Sequence, residues 1–312
     1  MTPDRGAHGP LGQRPRRPGR EQLGLPRSRR LSFSGSTAEL HADDLTEDGV
    51  VLSIGGHEQS HVEMGEPEFL LHDYLIRMGA VLQTCARERL SGGAQLLHLG
   101  AGALTLPRWV EHHWPETEQT VVDIEPELVE FVLEHLPMRE QPRSLVADAA
   151  AVIAPGGALH GQRFDVVVVD LFNSASAPEQ LVSPQFHSLV FEQVNAGGLL
   201  LMNLGDEPPM DFARAQVASL LEAADGLRPV PRDTGAEPPD ASAALLSAPN
   251  DVLEARAEGN LCFAARRSAP LAQTELNAIW ASGPHPGDVL SGQELRDWAR
   301  PATPGCSHRT SR

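Results

Sequence analysis

The chain has 312 residues, a formal net charge of −17 and no lysine, so arginine supplies every permanently basic side chain. The missing lysine excludes a P-loop, a Schiff base and a lysine nucleophile, and the acidic balance argues against nucleic acid while suiting a cationic substrate. Cys85, Cys262 and Cys306 show no CxxC or zinc spacing, no apolar run approaches 18 residues and no signal-peptide core opens the chain; reduced thiols in a cytoplasmic protein with no membrane partner are expected.

In chain order, residues 1–45 are rich in Arg, Pro, Gly and Ser and carry little apolar surface to offset chain entropy. They read as a disordered tail, removable without loss of folding. Two strand-like runs over 49–64 flank Gly55-Gly56 and predict a hairpin. Residues 68–90 place Phe69, Leu70, Leu75, Ile76, Val81 and Leu82 on a helical stripe that also carries His72, Asp73 and Tyr74. Residues 46–90 thus form a small β element plus a helix. A main domain over 91–300 follows, then a loose tail over 301–312.

In that domain Leu96, Leu97 and Leu99 stop at Gly100 and Gly102, as a buried strand entering a glycine turn does. A helix is predicted over 104–113, then a strand over 120–124 ending near Asp123, and a helix opened by Pro126. Strands follow over 144–147, ending at Asp148, and over 164–169, where four valines stand between Asp165 and Asp170. Next come a helix over 184–194, a strand over 199–203 and a helix over 211–224. Residues 228–239 read as a loop or a linker to an edge hairpin, 260–266 as a late strand and 267–300 as two short helices. This alternation predicts an α/β fold, a doubly wound, mostly parallel Rossmann-like sheet with helices on both faces.

Ligands of such sheets collect at the carboxyl ends of the strands. Asp123 follows Gly100 by 23 residues, near the interval of about 20 that sets a ribose-binding acid beside a glycine turn. The turn Gly100-Ala101-Gly102 is not a full G-x-G-x-x-G, because position 105 is Thr; a turn without ligand is the alternative. Asp123, Asp148 and Asp170 end three strands, each alternatively a helix N-cap. Asp170 opens a small polar loop over 171–184 that contains Asn173 and suits a substrate gate. His72, His98 and His187 lack metal-ligand spacing, and His112 and His113 are expected at the solvent. No metal is expected, and no G-x-S-x-G elbow is present.

Over residues 50–270 the chain resembles a divergent member of the spermidine synthase (polyamine aminopropyltransferase) family. The family's L-x-L-D-G-x-x-Q motif falls on Leu52-Ser53-Ile54-Gly55-Gly56-His57-Glu58-Gln59, with Gly55 in place of the aspartate, and its Tyr-His-Glu segment is similar to Leu71-His72-Asp73. The G-G-G-D-G-G turn falls on Gly100 to Thr105, the ribose acid on Asp123 before Ile124 and Glu125, the adenine-side pair on Ala147-Asp148, and the D-x-x-D on Asp170 to Asn173. The run from Gly259 to Arg267 resembles the family's late strand.

The resemblance implies a class I methyltransferase-type fold with a small N-terminal β element. It implies nucleoside contacts from Gln59, Gly100, Ala101, Gly102, Asp123, Ile124, Asp148 and Ala149, substrate contacts from His72 and Asp73, and catalysis by Asp170 and Asn173. The co-substrate would be decarboxylated S-adenosylmethionine, or S-adenosylmethionine, with no permanently bound cofactor. The acceptor would be a polyamine such as putrescine, and a homodimer is compatible with it. Three departures stand out: Ala103 replaces the aspartate that holds the aminopropyl ammonium, Asn173 replaces the second acid, and the chain has one tyrosine. Methyl transfer from S-adenosylmethionine, or nucleoside binding without catalysis, therefore stay open.

Overall fold

The computed structural model describes residues 20–171, 177–226 and 243–301. The first element is a four-stranded antiparallel sheet, in spatial order β1 (Arg27–Arg30), β2 (Thr37–Ala42), β3 (Gly49–Ile54) and β4 (His57–Glu63). Gly55-Gly56 forms the predicted hairpin turn, Ile54 pairing with His57. The disorder expected through residue 45 gives way to structure from Arg20 onward; residues 1–19 lie outside the described residues. The reason is period-two burial on β2. Ala38 and Leu40 point inward and, with Leu31, are completely buried against Val50, Leu52, Leu104 and Phe131. A short strand backed by a neighbour needs few apolar side chains, so an arginine-rich composition hid it.

Helix α1 (Asp73–Val81) runs through a π-helical segment, Leu82–Ala86, into α2 (Arg87–Leu90). It begins later than predicted because Phe69 closes a turn back to the Glu66 carbonyl.

The main sheet is built from β5 (Gln95–Leu99), β6 (Glu118–Asp123), β7 (Arg143–Val146), β8 (Phe164–Val169), β9 (Val194–Asp206), β10 (Ala244–Pro249), β11 (Gly259–Arg266) and β12 (Gly287–Ser291). Their spatial order is β7-β6-β5-β8-β9-β11-β10-β12. Pairs among β5 to β9 are parallel, and β11, β10 and β12 each run against the preceding strand in that order.

The remaining helices are α3 (Thr105–His113), α4 (Leu128–His135), α5 (Ala149–Ile153), α6 (Pro184–Glu192), α7 (Asp211–Gly226), α8 (Asn250–Leu253), α9 (Gln273–Ser282) and α10 (Gly292–Trp298). Alternate residues of the central strands feed two cores. Leu97, Leu99, Val167 and Val169 meet α6 and α7 through Phe186, Val190 and Val217. Leu96, Val166 and Val168 meet α1, α3 and α9 through Met78, Trp109 and Ile279. Both faces of a parallel sheet must be covered in this way, which explains the nearly continuous apolar runs of β5 and β8.

The doubly wound, mostly parallel fold is as predicted, whereas β10 and β12 were missed. β12 has only Val289 and Leu290 as large apolar residues, too few for a pattern. The proline-rich 228–239 stretch and the tail beyond 301 lie outside the described residues. His113 also departs from expectation: its ring lies 4.1 Å from that of Trp109, and Nδ1 is 2.9 Å from the Trp109 carbonyl oxygen. No helix among the described residues is long and apolar enough to cross a membrane.

Candidate functional site

Strand β5 has β6 on one side and β8 on the other, so the chain leaves in opposite directions and a crevice opens at their carboxyl ends. The β5 turn is tightly constrained. Gly100 has φ +100°, and a Cβ there would stand 2.1 Å from the Asp170 carbonyl oxygen. Gly102 has φ +47°, and its Cβ would stand 2.4 Å from Ser60 Oγ. Only glycine lets both backbones approach so closely. Strand β4 is stitched over this turn: the Ala103 N–H donates to Ser60 Oγ (3.1 Å) and Thr105 Oγ1 donates to the His61 carbonyl (2.8 Å).

Leu104 sits in the left-handed region at φ 60°, a strained choice for a large side chain. Two contacts hold the turn there. Its N–H donates to the Ala101 carbonyl (2.9 Å), and buried Arg108 donates to the carbonyls of Ala103, Leu136 and Pro137.

Asp123 faces the turn from β6. Its Oδ2 accepts the Ala101 N–H (3.0 Å) and its Oδ1 the Glu125 N–H (2.9 Å). Burial raises its pKa above the ordinary carboxylate value, and the backbone donors pull the other way. Each oxygen keeps further acceptor capacity, as a ribose diol requires. Ile124 is half-buried beside it. Buried Glu125 accepts the N–H groups of Phe33 (3.2 Å) and Ser34 (3.0 Å), which clamps the β1–β2 turn onto this loop.

Asp148 Oδ1 accepts the Ala151 N–H (2.8 Å), so it caps α5, with Ala149 buried behind it. Gln59 is exposed on β4, next to Ser60.

Asp170 ends β8 with both carboxylate oxygens engaged. Tyr74 Oη donates to Oδ2 (3.0 Å) and Asn203 Nδ2 donates to Oδ1 (3.0 Å). Burial and the neighbouring Asp170 charge raise the Tyr74 pKa, so the phenol stays protonated and acts as a donor. His72 stacks on Tyr74 at 6.0 Å between ring centroids, and its Nε2, 3.8 Å from Glu58 Oε1, has no hydrogen-bond partner. Desolvation lowers the His72 pKa.

Asp73 does something other than the expected substrate contact. Both its oxygens take the buried Arg77 guanidinium, at 2.5 and 3.1 Å, and Arg77 continues to Ser247 Oγ and the Pro284 carbonyl. The pair ties α1 to the antiparallel edge of the sheet. Asn173 lies outside the described residues.

The fold thus brings Gly100, Gly102, Asp123 and Asp170 around one crevice. Tyr74, Asn203, Ser60 and Glu125 were missed by sequence reasoning. A single tyrosine at a helix start and an asparagine ending the run Leu199 to Met202 were the available signals. A cavity of about 750 Å³ opens among Gln95, Glu118, Arg139 and Arg143 at the opposite, amino ends of the parallel strands and brings none of these groups together. Among the described residues no three His, Cys, Asp or Glu side chains gather as metal ligands would.

Strand order, glycine turn and the acid on the next strand define a class I methyltransferase-type Rossmann domain with a small N-terminal β element. No protein-family model matches the chain. Over 108 residues it is 28% identical to a probable polyamine aminopropyl transferase of Bifidobacterium longum, covering 35% of this chain and 23% of that protein. Over 149 residues it is 26% identical to the polyamine aminopropyltransferase of Neisseria meningitidis, covering 46% of this chain and 53% of that protein. The matches therefore span about a quarter to a half of those relatives' lengths.

A crystal structure of a probable spermidine synthase from Corynebacterium glutamicum superposes with a TM-score of 0.71 at 23% identity, over 92% of this chain and 99% of that one. A spermidine synthase in complex with the transition-state analogue AdoDATO gives 0.50 at 9% identity, over 84% of this chain and 76% of that one. In sequence the chain is similar to polyamine aminopropyltransferases, and in fold it is similar to a probable spermidine synthase.

Proposed function

We propose that this chain transfers the aminopropyl group of decarboxylated S-adenosylmethionine to a polyamine such as putrescine. The observation that carries this reading is the carboxylate of Asp170, gripped by Tyr74 and Asn203 at the strand end next to the glycine turn. In this reading the nucleoside lies over Gly100 to Gly102, with its ribose hydroxyls on Asp123 and its adenine near Ile124, Asp148 and Ala149. The amine lone pair attacks the carbon next to the sulfonium. A C–N bond forms as the C–S bond breaks, the electron pair passes to sulfur, and methylthioadenosine leaves as a neutral thioether. Asp170 takes the proton that the nitrogen sheds. The sulfonium is already a good leaving group, so orientation and charge do most of the work. Asn173 would orient the amine, and Gln59 and His72 would border the nucleoside and the amine respectively.

The turn itself favours the decarboxylated form. The N–H groups of Gly100, Ala101, Ala103 and Leu104 all bond within the protein, which leaves none of these four for an α-carboxylate. That counts against methyl transfer. Ala103 supports a second reading, nucleoside binding without transfer, because its position holds no acid and is completely buried.

Calorimetry with decarboxylated S-adenosylmethionine, its carboxylated form and methylthioadenosine, followed by a putrescine turnover assay, tests these readings. Preference for the decarboxylated form with spermidine produced is expected. Equal affinity for the carboxylated form would favour methyl transfer, and binding without product would favour the second reading.

A further inference from the structure

Asn203 stands out by what it leaves unused. Inside β9, paired with Cys262, it is 4% exposed, and its Nδ2 donates to Asp170 Oδ1 while its own Oδ1 is buried with no hydrogen-bond partner. The amide orientation follows from chemistry: a carboxylate only accepts, so the NH2 group faces Asp170 and the oxygen faces away. A buried amide oxygen without a partner is costly and rare in a folded chain. Holding Asp170 in place explains the nitrogen of this side chain and leaves the oxygen unexplained.

We propose that Asn203 is a further substrate-binding residue, whose Oδ1 accepts an N–H of the attacking amine while its Nδ2 positions Asp170. The inference rests on aminopropyl transfer as the reading of this site. The oxygen and nitrogen of one carboxamide stand side by side, so a nitrogen seated against Asp170 Oδ1 is within reach of Asn203 Oδ1. A primary amine carries two N–H groups and an ammonium three, enough to meet the carboxylate and the carboxamide oxygen at once. Two fixed acceptors orient the nitrogen and, after proton loss, aim its lone pair at the sulfonium-bearing carbon. A hydroxyl or thiol carries one hydrogen and leaves one acceptor bare, so the pair also selects amines over alcohols and thiols.

The test separates the two halves of the side chain. Asn203→Leu removes donor and acceptor, whereas Asn203→Asp removes the donor and keeps an acceptor. Putrescine binding is measured by calorimetry on the full chain saturated with methylthioadenosine. All variants should bind methylthioadenosine alike. Putrescine affinity should fall about tenfold or more in Asn203→Leu and stay within about threefold of wild type in Asn203→Asp. A residue that only holds Asp170 would make the two variants equal, so equal losses, or no loss in Asn203→Leu, overturn the proposal and leave the transfer reading standing. If the leucine variant does not fold, Asn203→Ser, too short to reach either partner, replaces it. Wild-type protein that binds methylthioadenosine but no putrescine overturns both the proposal and the transfer reading, with the nucleoside site intact.

Discussion

In the proposed reading Asp123 serves the turn and the nucleoside with the same two oxygens. Asp123→Ala would free the Ala101 and Glu125 N–H groups and remove the ribose acceptor together. We expect methylthioadenosine affinity to fall about tenfold or more, by titration, since a charge-assisted hydrogen bond is worth about 1.5–3 kcal/mol and 1.4 kcal/mol is tenfold. Asp148→Ala should cost less affinity and about 1 kcal/mol of stability, as an N-cap does. A loss below about threefold for Asp123→Ala would remove Asp123 from the nucleoside site. Restoring the family's turn acid is not a route to higher activity here. Ala103 is 0% exposed, so Ala103→Asp would bury a carboxylate in a core position. Urea unfolding should show a loss of several kcal/mol, and a stable, more active variant would contradict this. The three strand-end acids were legible because strand termini can be read from local pattern. Tyr74 and Asn203 were not, because only the approach of α1 and β9 to β8 gives them their partner, and no local spacing encodes that approach.

Among the elements, β5, β8 and β11 could be read directly, since strands covered on both faces must be apolar throughout. The short strands escaped for the converse reason. β1 has no buried residue, and β12 is an edge strand, so pairing with a neighbour specifies them more than composition does. This reverses the expectation that residues 1–45 are dispensable. Deleting them removes Leu31, Ala38 and Leu40 from the core shared with Ala101 and Leu104 and uncovers the glycine turn. The deletion should lower the melting temperature by several degrees and weaken methylthioadenosine binding. Leu40→Ala alone should cost about 2–5 kcal/mol. An unchanged melting temperature for the deletion would show that β1 and β2 add nothing to the fold.

At the scale of the whole molecule, two interior histidines contribute to behaviour in acid. Burial pushes the pKa of His98 and of His187 down to about 4 from an ordinary 6.5. The unfolded chain therefore takes up protons at these rings before the folded one does, and stability falls as pH drops from about 6.5 towards 4, with no such loss above that window. Each ring should cost about 2 kcal/mol between pH 7 and pH 5. Denaturant unfolding at the two pH values should show the drop, and His98→Gln, which keeps a donor for Gln119, should reduce it by about half of the two-ring sum. An equal drop in the variant would exclude His98 as a source. The Glu125 clamp has a further consequence. One short loop carries Asp123, the proposed ribose acid, and grips the amides of Phe33 and Ser34, so whatever quiets the loop quiets the hairpin. By reciprocity, a ligand that is favoured by the docked hairpin must also favour docking. Saturation with methylthioadenosine should therefore slow hydrogen–deuterium exchange at the Phe33 and Ser34 amides, and those two amides should report occupancy of the ribose site.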